Sequence, residues 1–229
     1  TLAAESLLEA FRAGELPVAQ AFDSKKLATY FALIDLLGAE HAATWINLRF
    51  YYDPIASRLE PIGFDGNAGA PLQNVLGSSE ILARADWGFT ALAFADPAFF
   101  AEYVAALERV SDPAYLDALF AGIGPGLERN LRILHKEFPW ARFDPEIFRA
   151  NQRTIRSVLA PSKGLHAYLD RAGPGRIELE IANRAPLPLE VLGARSGEAV
   201  LAPATATRLQ ATPPSQNAAW VGVPFELRS

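Results

Sequence analysis

The chain has 229 residues, half of them hydrophobic, enough for one large domain or for a medium domain with a smaller companion. A formal charge of -5, without any basic run interleaved with aromatics, argues against a nucleic-acid partner. No cysteine is present, which excludes disulfides, thiolate nucleophiles and thiolate metal sites, and the three histidines lack a zinc-ligand spacing.

From the N-terminus, Leu7, Leu8 and Phe11 recur at helical spacing, so Ala3 to Ala13 reads as a short amphipathic helix stopped by Gly14 and Pro17. A second helix, capped by Asp23 or Ser24, carries Leu27, Tyr30, Phe31, Ile34 and Leu37 on a buried face and ends near Gly38. Asp35 and Glu40 interrupt Leu27 to Ala43, the best apolar run, so no transmembrane segment is expected. Asp35, on the buried face, reads as a structural carboxylate bonded to backbone or to an arginine.

The period then changes. Asn47 to Tyr52 and Arg58 to Phe64 read as strands of a β-hairpin joined by Asp53 to Ser57. Gly66 to Gly77 is rich in Gly, Asn and Pro and reads as a surface loop, the kind of segment that often carries function. Helices are expected over Pro97 to Val110, Pro113 to Gly122, Pro125 to Phe138 and Pro145 to Leu159, with prolines near their first turns and Asp96, Asp112 and Asp144 as caps. After Pro161 short strands separated by Gly and Pro take over: Leu165 to Asp170, Arg176 to Ala182, Leu187 to Leu192, Ala199 to Leu201 and Trp220 to Leu227. Arg176 to Ala182 is expected to pair with Leu187 to Leu192 across Asn183 to Pro186, and Pro203 to Pro214 reads as a loop. The fold class expected is α+β, a mainly helical lobe over residues 1–161 and a small β-sandwich-like module over 162–229.

Chemistry gathers around the hairpin. A hairpin returns its far end to its near end, so Asn47 entering it and Asp65 leaving it are expected side by side. An amide oxygen and a carboxylate are hard ligands suited to Mg2+, which keeps several waters and completes its shell with substrate phosphates. Protein kinases hold ATP-bound metal with a catalytic-loop Asn and the Asp of an Asp-Phe-Gly motif. Taken alone, Asn47 reads as a strand-edge hydrogen-bonder, Asp65 with Gly66 as a turn, and Glu40 with His41 as a solvated loop pair. Trp45, Phe50, Tyr51 and Phe64 read as packing of core and hairpin.

Tyr30-Phe31-Ala32-Leu33-Ile34-Asp35-Leu36-Leu37-Gly38, then Asn47-Leu48-Arg49-Phe50-Tyr51-Tyr52, then Glu60-Pro61-Ile62-Gly63-Phe64-Asp65, resembles the metal-binding part of the spore-coat protein H (CotH) kinase-like family. The resemblance covers the first third of the chain. It implies a kinase-like C-lobe and an atypical phosphotransferase that uses ATP and Mg2+ on a protein or another phosphate acceptor. Asn47 and Asp65 are then metal ligands, with Asn67 toward the nucleotide. A kinase base stands five residues before the metal-binding Asn, and here that residue is Ala42, which leaves His41, then Glu40, as candidate base. The Gly-rich loop and strand lysine of an N-lobe are expected upstream of Thr1, in keeping with a chain that has no Met. Few lysines among many arginines, with abundant Ala and Pro, point to a GC-rich bacterial source, and the family implies a secreted or cell-envelope setting. The competing expectation is a noncatalytic envelope or surface protein in which a degenerate lobe and the β-module serve binding.

Overall fold

The computed structural model describes residues 2–84, 88–213 and 215–227. The chain divides into two units, one formed by Thr1–Leu76 with Arg84–Ser157, the other by Gly77–Ala83 with Val158–Ser229. The fold class is α+β, several helices together with a curled antiparallel sheet.

In the first unit α1 (Leu2–Arg12) and α2 (Val18–Ala21) lead into α3 (Ser24–Leu37), whose Asp23 cap accepts from Lys26 N at 3.0 Å. Leu27, Phe31, Ala32 and Leu36 of α3 are fully buried. They belong to a phenylalanine-rich core, in which Phe31 meets Phe94 and Phe99 at centroid distances of 5.6 and 6.2 Å. The partners come from α5 (Gly88–Ala95) and α6 (Pro97–Ser111), two apolar helices bent 98° at their junction. The sequence reading passed over α5, since a short helix apolar on every side has no period to detect. Among the described residues no single helix is long and apolar enough to cross a membrane. Asp96 caps α6 through Ala98 N and Phe99 N, and Asp112 caps α7 (Pro113–Glu137) through Ala114 N.

Helix α7 differs from expectation, being one helix of 25 residues where Gly122 to Pro125 predicted two. Pro125 lies inside it, and the surrounding turn is exposed enough for water to take the carbonyl that the missing N–H leaves unbonded. Leu116 is its one fully covered apolar side chain. The last helix, α8 (Glu146–Leu159), turns Phe148, Asn151, Gln152 and Ile155 inward.

The hairpin forms as strands β1 (Arg49–Asp53) and β2 (Arg58–Ile62), in register Arg49 to Ile62 through Asp53 to Arg58. Asp53 Oδ1 accepts from Ile55 N and Ala56 N, the side-chain turn that an Asp at the loop start favours.

The second unit contains α4 (Ser79–Leu82) and strands β3 (Leu165–Gly173), β4 (Arg176–Asn183), β5 (Leu189–Val191), β6 (Ala194–Ser196), β7 (Ala199–Pro203), β8 (Thr207–Leu209) and β9 (Trp220–Leu227). Five strands make an antiparallel sheet in the order β3-β4-β9-β7-β6, and β5 pairs with β8 as a separate ribbon. Ile181, Leu201, Val223 and Phe225 of the sheet pack with Val191 and Leu209 of the ribbon. Two expectations are corrected here. β4 does not pair with β5, because the buried Asn183 turns the chain out of the sheet: its Nδ2 donates to Leu187 O and Leu209 O while its Oδ1 accepts from Ala185 N. The expected loop from Pro203 contains β8, and Pro214 at its far end lies outside the described residues.

Gly38 ends α3 in the left-handed region at φ 59°, and a Cβ built there would stand 1.8 Å from Ala70 O. Gly38→Ala is therefore expected to destabilise the first unit by roughly 3 kcal/mol, from the positive φ and the displacement of the 69–70 backbone together. A urea-melt midpoint equal to wild type would show that the approach is not maintained in solution.

Candidate functional site

Beyond Gly38 the chain makes one 3-10 turn, Glu40–Ala43, before entering the hairpin. The His41 carbonyl is a hub of this turn, accepting from Thr44 N at 3.3 Å, Thr44 Oγ1 at 2.8 Å and Asn47 Nδ2 at 3.0 Å. That last bond fixes the amide of Asn47, a residue only 6% exposed, with its nitrogen committed to the protein. Its Oδ1 takes no hydrogen bond among the described residues and is not sealed from solvent.

Asp65 follows β2 at φ 45°, and its carboxylate Oδ2 stands 3.3 Å from His41 Nε2, both side chains nearly half exposed. The hairpin thus brings Asn47 and Asp65 to His41 from its two ends, one meeting the backbone and the other the ring. Asp65, Asn67 and Gly69 all have positive φ, so the loop alternates into the left-handed region three times within five residues. Gly69 N donates to Leu37 O at 2.8 Å and Ala70 N to Gly38 O at 3.3 Å, which ties the far side of the loop to the end of α3.

The remaining candidates diverge. Glu40 turns to Arg84, Oε1 to Nη1 at 3.0 Å, and borders a small cavity of about 50 Å³ with Asp35, Gly38, Ala70 and Asn74. It does not share the face that His41 presents to Asp65. Asn67 is exposed and makes no hydrogen bond with the described residues. Ala42 is buried, and a Cβ built on Gly66 would lie 3.8 Å from its methyl. Phe50 and Trp45 pack on Phe89 at centroid distances of 5.9 and 5.3 Å, and Phe64 lies under the Arg49 guanidinium at 4.8 Å. Tyr51 is 56% exposed.

Asp35 is the buried charge of the region. It is 1% exposed, with Oδ1 accepting from Leu76 N at 3.0 Å and Oδ2 from the Tyr103 hydroxyl. Burial pushes its pKa up to about 8 against the opposing bonds from Tyr103 and Leu76, and the charge of Glu40 adds to the rise. The partners are therefore a backbone amide and a tyrosine, not an arginine.

Asn151 was missed by the sequence reading. From α8 its Oδ1 accepts from Leu72 N while its Nδ2 donates to Leu36 O and Ala70 O, so one buried amide fastens the 70–72 segment to α3. A polar residue on the apolar face of α8 was the available signal, together with its neighbour Gln152, which donates to Val110 O and Asp112 O.

An amide oxygen, a carboxylate and an imidazole therefore gather at one end of the hairpin, on a backbone held by Gly69, Ala70 and Asn151. Among the described residues no group of three or more His, Asp or Glu side chains could hold a metal ion. The donor set therefore fits a cation that arrives with its own phosphate and water ligands, and does not fit a resident metal held by protein alone. No protein-family profile, curated protein or solved structure matches the chain.

Proposed function

We propose that the chain carries the metal-binding half of an atypical phosphotransferase of the CotH kinase-like type, acting with ATP and Mg2+ on a protein or another phosphate acceptor. The observation that carries the reading is the convergence of Asn47 and Asp65 on His41, with Asn47 Oδ1 left open by the bond its nitrogen makes. In this reading the first unit is a kinase-like C-lobe and the second a β-sandwich-like module. Mg2+ would be held by Asn47 and Asp65 and would neutralise charge on the nucleotide phosphates. The chain's own groups do the rest. His41 is placed to take the proton of the acceptor hydroxyl at Nε2, and Asp65 beside it favours the imidazolium that results. Asn67 lies on the loop that would flank the nucleotide, and Glu40 is the weaker choice of base because Arg84 engages it.

A noncatalytic reading draws on Ala42. The position of the kinase base is a buried methyl close to Gly66, so the proton acceptor must come from elsewhere or be dispensed with. The two readings separate in one calorimetric experiment on the protein together with whatever its gene encodes upstream of Thr1. Titration with ATP is expected to give binding that requires Mg2+ and is lost in Asn47→Leu. Binding that is indifferent to both Mg2+ and Asn47 would remove the proposal.

A further inference from the structure

Strand β3 is the outermost strand of its sheet, and all nine of its residues are exposed. The amides and carbonyls along its outer edge take no hydrogen bond from the described residues, since β3 bonds inward to β4 and no other partner reaches it. The opposite edge is the three-residue strand β6, too short to recruit much. Edge strands of soluble domains are ordinarily blunted by charge, proline or brevity. β3 is blunted only at one end, where the register shifts between Leu169 and Arg171 and leaves Asp170 unpaired. At the other end Gly164 accepts from Arg184 N and Ala185 N, which closes the strand against its own unit.

Between these stops lies a regular stretch, Leu165-His166-Ala167-Tyr168-Leu169, without Asp, Glu, Lys, Arg or Pro. Its large apolar residues are conspicuously bare, Leu165 at 41%, Tyr168 at 64% and Leu169 at 62% exposure. Ala167 and Leu169 share the face of Ile181 and Leu179, whereas His166 and Tyr168 share the face of Ala182 and Glu180. Tyr168 also touches Trp220 across β4, ring centroids 5.1 Å apart, so its ring is braced on the sheet.

We infer that β3 is a homotypic interface, pairing antiparallel with β3 of a second copy of this chain about a two-fold axis at Ala167. The bulge and the Gly164 closure select that axis, because Ala167 is the midpoint of the regular stretch and any other centre runs into one of the two stops. The register is self-complementary. Leu165 of each copy faces Leu169 of the other on one face, and His166 faces Tyr168 on the other. No acidic or basic side chain opposes its like. A strand is the one occupant that satisfies the free backbone groups, and a second copy offers them in matching register. The stretch is short, so the association is expected to be of micromolar strength and concentration-dependent.

The test places charge at the axis. Ala167 is exposed, so Lys or Glu there leaves the isolated unit folded, which a thermal melt equal to wild type will verify. In a sedimentation series at rising micromolar concentration the wild-type chain is expected to approach twice its 24.8 kDa mass. Ala167→Lys and Ala167→Glu are each expected to remain at one chain mass, since like charges then meet across the axis, and an equimolar mixture of the two is expected to recover the doubled mass. A wild-type chain that stays monomeric overturns the inference and assigns the edge to a strand of some other protein segment. A dimer untouched by both substitutions, or variants that fail to recombine, overturns it equally.

Discussion

Asp65→Ala is expected to abolish phosphoryl transfer, and His41→Ala to slow it by about 10²-fold. The order follows from how the chemistry divides. Phosphoryl transfer depends chiefly on positioning and on charge neutralisation at the phosphates, so loss of a metal-facing carboxylate costs at least about 10³-fold. A general base contributes less, and solvent can partly replace it. The contact of 3.3 Å between His41 Nε2 and Asp65 Oδ2 makes the two substitutions informative together. If His41 only orients Asp65, His41→Gln should restore most of the activity, because an amide can still donate to the carboxylate. If His41 is the base, His41→Gln stays slow and the ascending limb of the pH-rate profile disappears. The measurement is transfer from labelled ATP by the protein with its upstream sequence, and full activity in Asp65→Ala would falsify the proposed role of the hairpin end.

The second large effect concerns stability. Asp35 has a folded-state pKa pushed to about 8, above its ordinary value of 3.8, with burial the principal cause. Between those two values the unfolded chain has released the proton while the folded chain holds it, so the folded state binds more protons and stability falls as pH rises. The contribution of Asp35 is complete below about pH 4, is lost progressively, and is exhausted near pH 8, at about 1.4 kcal/mol per pH unit and up to about 5 kcal/mol in all. Asp35→Asn keeps an acceptor for Leu76 N and offers a donor to the Tyr103 oxygen, yet cannot ionise. The difference in unfolding free energy between variant and wild type is therefore expected to move in favour of Asn as pH rises from 4 to 8, then level off. Urea melts at several pH values read this directly, and parallel curves would mean that Asp35 is not the titrating group. Glu40→Gln should reduce the slope, because the charge of Glu40 contributes to the rise at Asp35.

Local signals in the sequence reached as far as local physics does. Asp23, Asp96 and Asp112 could be read as caps because their partners lie two or three residues on. The hairpin was legible from its alternation and its Asp53 turn, and with it the approach of Asn47 to Asp65. Sheet order was not, because nothing near Asn183 announces that its amide will hold Leu209, 26 residues away, and turn the chain out of the sheet. The divergence of Glu40 from His41 was hidden for the same reason, Arg84 being 44 residues distant. Gly122, Gly124 and Pro125 misled by carrying a genuine breaker signal at a place where solvent absorbs the cost.

That breaker signal has a consequence for the way α7 comes apart. A helix of 25 residues that covers Leu116 and little else is anchored by its first turns alone. Past Gly122 its amides are guarded only by helical hydrogen bonds, and Pro125 removes one of those at the weakest point. The helix consequently frays from its far end while its beginning melts with the core. In deuterium exchange the boundary between slow and fast amides falls near Pro125, and a protease added to the native protein finds its first cut there, with the phenylalanine core still intact.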